Sequence, residues 1–338
     1  MVSEVAAPTE FSAQVFEFRF EVAERVVLNQ HKGAALRGAL FHAIRKVGCS
    51  CLELTSCRPC PLVEACPVSF LLATVDDDGK RGGDVPRPFV INPPLEAKNI
   101  YEVGDTFNFG LTLFARSVKF LPYLVVGLQQ MEREGLGVKY ESSPGRWRRG
   151  SLRLRNIAAL NPLSGEEQIL FKIGNRAIEA PNKPTTHSEV LAITKSNGAD
   201  QVYKLRFNFL TPTRLIKEGK PLSRPDLPIL TQRLVERLSS LSSEYGKHEL
   251  VLDYDSLLRE ASEMTLVEDR TYWGEVRSYS NRQQQDLSLS GFMGEVTYLG
   301  RAGKLIPLLL WGQLTHVGKD ATKGNGWYSL IAKELSQS

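Results

Sequence analysis

Long apolar runs are absent from this 338-residue chain, and with them any span of the roughly 20 apolar residues that a membrane helix requires. No membrane role is expected. Residues 1–10 hold acids and a proline in place of the basic start and apolar core of a secretory signal, so the cytoplasm is the expected compartment. A large excess of one charge is also missing: the formal net charge is +4, too small for composition alone to indicate nucleic-acid binding. Residues 312–328 are rich in glycine and lysine but lack a Gly-Lys-[Ser/Thr] step before a helix, which argues against P-loop nucleotide hydrolysis. What remains is a globular chain, 42% hydrophobic and long enough for two packed cores.

Periodicity supplies the organisation. Phe16, Phe18, Phe20 and Val22 alternate with Glu17, Arg19 and Glu21, the pattern of a half-buried strand. Helix-spaced Leu36, Leu40, Ala43, Ile44 and Val47 follow, then a cysteine-rich segment and the polar loop 76–84. Next come a strand near 107–114, a helix near 122–134, and strands near 152–157 and 169–173. The stretch 179–200, rich in Pro, Asn, Thr, Lys and Ser, reads as a boundary. A second cycle begins where Leu205, Phe207 and Phe209 alternate with Lys204, Arg206 and Asn208. It continues with a helix near 227–241, strands near 275–279 and 287–298, a helix near 304–314 and a strand near 327–331. The expected class is α+β, with two tandem ferredoxin-like (RRM-like) domains. Residues 11–180 form the first, carrying a Cys-rich insertion at 49–84; residues 200–334 form the second, carrying the glycine-rich loop.

That loop suits an RNA backbone. Gly318, Gly324 and Gly326 have no side chain to keep a polyanion from backbone N–H groups, and Lys319 and Lys323 supply charge, with His316 beside them. A second basic stretch runs from Arg116 to Arg155, where nine basic residues face only Glu132, Glu134 and Glu141. A solvated charged face would look the same. Trp147 among Arg146, Arg148 and Arg149 favours RNA, since an aromatic ring can stack a base while arginines hold phosphates.

All five cysteines fall in one segment, Cys49-x-Cys51-x5-Cys57-x2-Cys60-x5-Cys66. Such clustering suits a structural Zn²⁺ or an iron–sulfur cluster, with Pro61 and Pro67 stiffening the ligand loops. Disulfides, disfavoured by an odd count and a cytoplasmic setting, and free thiols are the alternatives. Cys57, Cys60 and Cys66 are the firmer ligands, joined by Cys49 or Cys51; spacing does not separate zinc from iron–sulfur.

On a helical wheel His42, Arg45 and Lys46 lie opposite the apolar stripe Leu36, Leu40, Ala43 and Val47. His42 and Lys46 are neighbours at four-residue spacing, and Gly38, one turn earlier, leaves room for a ligand. An imidazole titrating near neutrality beside a cation can serve phosphoryl chemistry without a metal. The bland alternative is a histidine on a wet helix face. His31 and His316 are rival candidates, while His187 and His248 lie in polar stretches without an expected role.

Several segments, in order, resemble a known family. His316-Val317-Gly318, then Lys319 to Lys323, then Gly324-Asn325-Gly326 is similar to the glycine-rich signature of the RAMP proteins of CRISPR systems, with His316 in place of the first glycine and Asn325 in place of an apolar residue. Gly291-Phe292-Met293-Gly294, Ile306-Pro307-Leu308, Tyr279-Ser280-Asn281-Arg282-Gln283, Leu210-Thr211-Pro212 and Ala35-Leu36-Arg37-Gly38 resemble segments of the CRISPR repeat-processing endoribonucleases, the Cas-six family, in a branch with an N-terminal cysteine cluster. The resemblance implies metal-independent cleavage of CRISPR repeat RNA (pre-crRNA): a 2′-OH attacks the adjacent phosphorus and leaves a 2′,3′-cyclic phosphate and a 5′-OH. It implies His42 as the acid-base residue, Lys46 as the phosphorane stabiliser and Arg37 as a phosphate-positioning group. Arg282 joins the RNA contacts. No cofactor is required for cleavage, and the cysteine cluster becomes a structural clip. Effector-complex subunits are further expected partners. A non-catalytic RAMP subunit that holds the repeat-derived handle is the alternative; a metal-cluster redox or sensor protein is opposed by the ordered matches.

Overall fold

The computed structural model describes residues 10–54, 56–73, 85–175, 177–195, 201–280 and 285–335. The chain divides into two compact units, one up to Pro184 and one from Thr185, with Glu244–Gly246 grouped with the first. No helix among the described residues is long and apolar enough to cross a membrane.

The first unit runs β1 (Ser12–Val22), α1 (Lys32–Gly48), β2 (Phe89–Asn92), β3 (Thr106–Phe114) and α2 (Leu121–Glu134). It continues with β4 (Leu136–Ser143), β5 (Arg146–Gly150), β6 (Leu152–Asn161) and β7 (Glu166–Lys172). Across its sheet the order is β2-β3-β1-β6-β7, with each pair antiparallel. Alternation along β1 sends Phe16, Phe18, Phe20 and Val22 into a core shared with Leu36, Leu40, Ala43 and Ile44 of α1 and Leu124, Val125 and Leu128 of α2. The wheel differs in one place: Val47 is 38% exposed, and Ile44 takes the buried position. A Cβ on Gly127 would stand 2.7 Å from Ile44 Cγ1, so glycine is what lets α1 and α2 approach there.

The second unit runs α3 (His187–Lys195), β8 (Val202–Thr213), α4 (Leu227–Tyr245), α5 (Tyr254–Glu263), β9 (Thr265–Gly274), β10 (Gly291–Arg301), α6 (Leu305–Thr315) and β11 (Tyr328–Leu335). Its sheet order is β9-β10-β8-β11, again antiparallel. Both units thus contain the βαββαβ order of a ferredoxin-like fold, with hairpin β4–β5 and edge strand β7 added in the first and α3 and α5 added in the second. Leu205, Phe207 and Phe209 are buried, as their alternation predicts. His187 differs from expectation: it accepts a hydrogen bond from the Trp311 indole at 3.0 Å and ties α3 to α6.

Two strand assignments change. The sheet partner of β10 is β9, whereas Arg277–Ser280 pairs with Gln285–Ser288 in a separate hairpin. The reason is that β9 is an exposed edge strand, with Leu266, Val267 and Tyr272 each about half or more exposed, so it lacks the alternation that marks a half-buried strand. Residues 136–150, to which the sequence pattern assigned no element, form the antiparallel hairpin β4–β5.

Candidate active site and RNA-contact surfaces

Helix α1 starts at a cap supplied by His31, whose Nδ1 accepts the Ala34 N–H at 3.1 Å. His31 is buried and occupied by capping, which removes it as a rival acid-base group. His42 is exposed about three turns further on, with the Phe41 ring edge-on at 5.6 Å. Lys46, one turn beyond, reaches Glu134 at the end of α2, with Nζ 2.7 Å from Oε1. Gln130 Nε2 donates to the same oxygen at 3.0 Å. Glu134 is held below the usual carboxylate range, first by the hydrogen bond from Lys46, against some opposition from burial, then by Gln130, the Lys46 charge and nearby His42. An imidazole, an ammonium and a carboxylate therefore share one partly open surface. A Cβ on Gly38 would meet nothing within 4 Å, so the helix is open there too.

Arg37 does not join this group. Five residues from His42, it is turned by about 140° around the helix, and its guanidinium lies over the Phe41 ring, 5.3 Å from the centroid. It lines a small apolar void with Leu40, Ile44, Leu71 and Leu72.

The cysteine segment leaves the end of α1 as a series of tight turns, in which Cys60 N–H donates to the Cys57 carbonyl and Val63 N–H to that of Cys60. Arg45 binds this segment to the helix, its Nη2 donating to the Leu52 and Leu54 carbonyls at 2.9 Å each. All five thiols are half-buried and none is in a disulfide. Burial pushes the Cys57 thiol up, reinforced by Cys66, Cys49 and Cys60 and opposed by Arg45. A hydrogen bond with Cys60 raises Cys51. The thiols are mutual neighbours, yet no three His, Cys, Asp or Glu side chains among the described residues stand close enough to hold a metal ion.

Hairpin β4–β5 projects from the first unit with residues 141–149 all exposed. Trp147, 61% exposed, sits opposite Glu141 in the register. The Glu141 carboxylate is committed to the turn, accepting the Gly145 N–H at 2.7 Å. Arg148 pairs with Glu24 at 2.8 Å and lies over Tyr140, and Arg149 Nε donates to the Gly137 carbonyl. Arg146 has no ion-pair partner among the described residues.

The glycine-rich loop of the second unit differs most from expectation. Its N–H groups mostly serve the chain itself: Val317 donates to Gly326, Lys319 to Arg214, Lys323 to Asp320, Gly324 to Ala321 and Gly326 to Pro212. Gly318 and Gly326 have φ of +83° and +72°, and a Cβ at Gly326 would fall 1.8 Å from the Val317 carbonyl oxygen. These glycines, with Gly324 closing a 3-10 turn at φ +88°, permit a close backbone fold and do not clear a path for phosphate. His316, at φ +58°, occupies a glycine-like conformation. It is fully buried, stacked on Trp327 and hydrogen-bonded to the Asn325 backbone. Burial, with Arg237 nearby, lowers its pKa to about 3. His316 is therefore a neutral packing residue, neither an RNA contact nor an acid-base group. Lys319 is exposed, whereas Lys323 is paired with Asp320 at 2.7 Å. Arg282 lies outside the described residues.

Glu134 and Gln130 are the site residues that sequence reasoning missed. Glu134 entered only as one of three acids in a basic stretch, and no local pattern ties it to a lysine 88 positions away.

Comparison with known proteins places these features. Residues 11–183 match the AF_1859_N N-terminal domain family, and residues 207–328 match the CRISPR-associated endoribonuclease Cas6 family. An uncharacterized protein of Archaeoglobus fulgidus is 32% identical over 112 residues, covering 32% of this chain and 37% of the relative. Among solved structures, a partial Cas6-RT-Cas1–Cas2 complex is similar at TM-score 0.60 and 14% identity over 98% of this chain, which spans 48% of the chain it matches. Thermus thermophilus Cas6 is similar at TM-score 0.54 and 16% identity, over 96% of this chain and 100% of the other. A Cas6 product complex gives TM-score 0.54 and 17% identity, over 95% and 100%. At these identities the structural likeness is one of fold.

Proposed function

Because this chain belongs to the CRISPR-associated Cas6 family, we propose that it cleaves CRISPR repeat RNA without a catalytic metal. The observation that carries the reading is the pairing of His42 and Lys46 one turn apart on the open face of α1. In the proposed step the ribose 2′-oxygen forms a bond to phosphorus as the bond from phosphorus to the 5′-oxygen breaks. The 2′-OH gives up a proton and the leaving 5′-oxygen gains one, yielding a 2′,3′-cyclic phosphate and a 5′-OH. His42 makes one of these transfers, and Lys46 faces the charge that builds on the phosphorane. Lys46 keeps its Glu134 partner while its remaining ammonium donors, on a side chain 60% exposed, face the phosphate.

Repeat RNA contacts fall to Trp147, Arg146 and Arg148 on the hairpin and to Lys319 on the glycine-rich loop. Assembly with other CRISPR effector subunits and a cytoplasmic site of action go with this reading. The cysteine segment is proposed as a structural clip: Cys57, Cys60 and Cys66, with Cys49 or Cys51, would hold zinc or an iron–sulfur cluster, away from any step of the cleavage. The mutual proximity of the thiols supports this, and the arrangement described requires side-chain closure to complete a ligand shell.

Incubating the protein with its cognate repeat RNA in EDTA tests the reading. Cleavage to a cyclic-phosphate product supports it. Tight binding without cleavage would favour the alternative, a non-catalytic RAMP subunit that holds the repeat handle, a role compatible with Lys46 already paired to Glu134.

A further inference from the structure

The geometry points to Glu134 as a positioning residue that holds the Lys46 ammonium beside His42; this rests on the reading of His42 and Lys46 as the cleavage site. Lysine carries four rotatable bonds, and on an open helix face its ammonium would sample many positions. Here one oxygen fixes it, 2.7 Å from Nζ. That oxygen is itself fixed by Gln130 at 3.0 Å, one turn back on α2. Beneath them Gly127 lets α2 pack closely against Ile44 of α1, so the two helices that carry the pair are in direct contact. Glu134 also lies close enough to His42 for the two charges to interact. The carboxylate thus sets where a cation waits before the phosphate arrives, and Lys46, 60% exposed, keeps free donors for it.

A bystander carboxylate and a positioning one differ in the sign of their effects. Removing an unneeded anion from an RNA-facing surface would tighten binding and leave the chemical step unchanged or faster. Removing a positioning group slows that step, by about 10- to 100-fold where a catalytic group is displaced by an ångström or so.

The test measures single-turnover cleavage of the cognate repeat RNA, and binding of the same RNA with a 2′-deoxy nucleotide at the scissile position. Glu134→Gln should cut about 10- to 100-fold more slowly with affinity unchanged or tighter, and Glu134→Asp should recover part of the rate. In a Lys46→Ala background Glu134→Gln should have no further effect. Thermal melts verify that each variant is folded. Cleavage by Glu134→Gln at the wild-type rate or faster would overturn the inference, as would an equally large loss in the Lys46→Ala background. His42→Ala is assayed alongside. If it cuts normally while Glu134 and Lys46 remain coupled, the assignment of His42 fails and the positioning role stands.

Discussion

His316 lies flat against Trp327, with ring centroids 5.9 Å apart and planes 10° from parallel. The pair sits under the glycine-rich loop, and its burial makes the loop sensitive to acid. With a folded pKa of about 3 against about 6.5 in the unfolded chain, His316 stays neutral when folded while the unfolded chain takes up a proton. Its contribution is full above the unfolded value and declines as pH falls from there toward 3. Melting temperature should therefore drop on acidification through this window, and His316→Gln should flatten the dependence. An equally steep profile in the variant would show that other groups set it.

His42→Ala should remove cleavage while leaving repeat affinity within a few fold, because the exposed imidazole transfers protons and does not dock RNA. Single-turnover rates and filter binding measure the two separately. A variant that still cuts at the wild-type rate would place acid-base chemistry outside the histidines considered, since His31 and His316 are both buried in structural roles.

Lys319→Ala should lower the slope of log affinity against log salt by about 0.7, the value for one phosphate contact on a single strand. Lys323→Ala should change it less, since Asp320 already neutralises that ammonium. Equal slopes in wild type and Lys319→Ala would remove the loop from the RNA surface.

Trp147→Ala should weaken repeat binding by about 1–3 kcal/mol, the usual loss of one base-stacking aromatic. Its 61% exposure predicts an unchanged melting temperature. Unchanged affinity would mean that the hairpin's arginines, or nothing on the hairpin, meet the RNA.

Anaerobic preparations should contain about one metal centre per chain, because neighbouring thiolates gain more from a shared cation than as separate thiols. Elemental analysis distinguishes zinc from iron, and stripping the centre should lower the melting temperature but leave cleavage chemistry intact. Absence of stoichiometric metal, with all five thiols alkylated, would rule out the clip.

Much of the scaffold could be read from local pattern. A strand's alternation and a helix's stripe depend only on neighbouring residues, so Phe16, Phe18 and Phe20, or Leu36 and Leu40, disclose their buried faces without knowledge of what covers them. The edge strand β9 and the hairpin β4–β5 escaped because exposed strands need no apolar alternation; their hydrogen-bond partners define them.

The same division runs through the site. Local spacing put His42 and Lys46 on one face of α1, since four residues make about one helical turn. Residue type also marked Gly318, Gly324 and Gly326, but read alone it assigned their missing side chains to an RNA backbone, although the chain's own backbone can use the same space. Tertiary structure decided that: the loop folds back on Arg214 and Pro212, so its N–H groups meet carbonyls from β8 and the turn after it. It also gave Lys46 its partner on another helix and withdrew Arg37 from the site. Hydrogen bonds and ion pairs between residues far apart in the chain have no period to betray them; they exist only once two packed elements bring the atoms within reach.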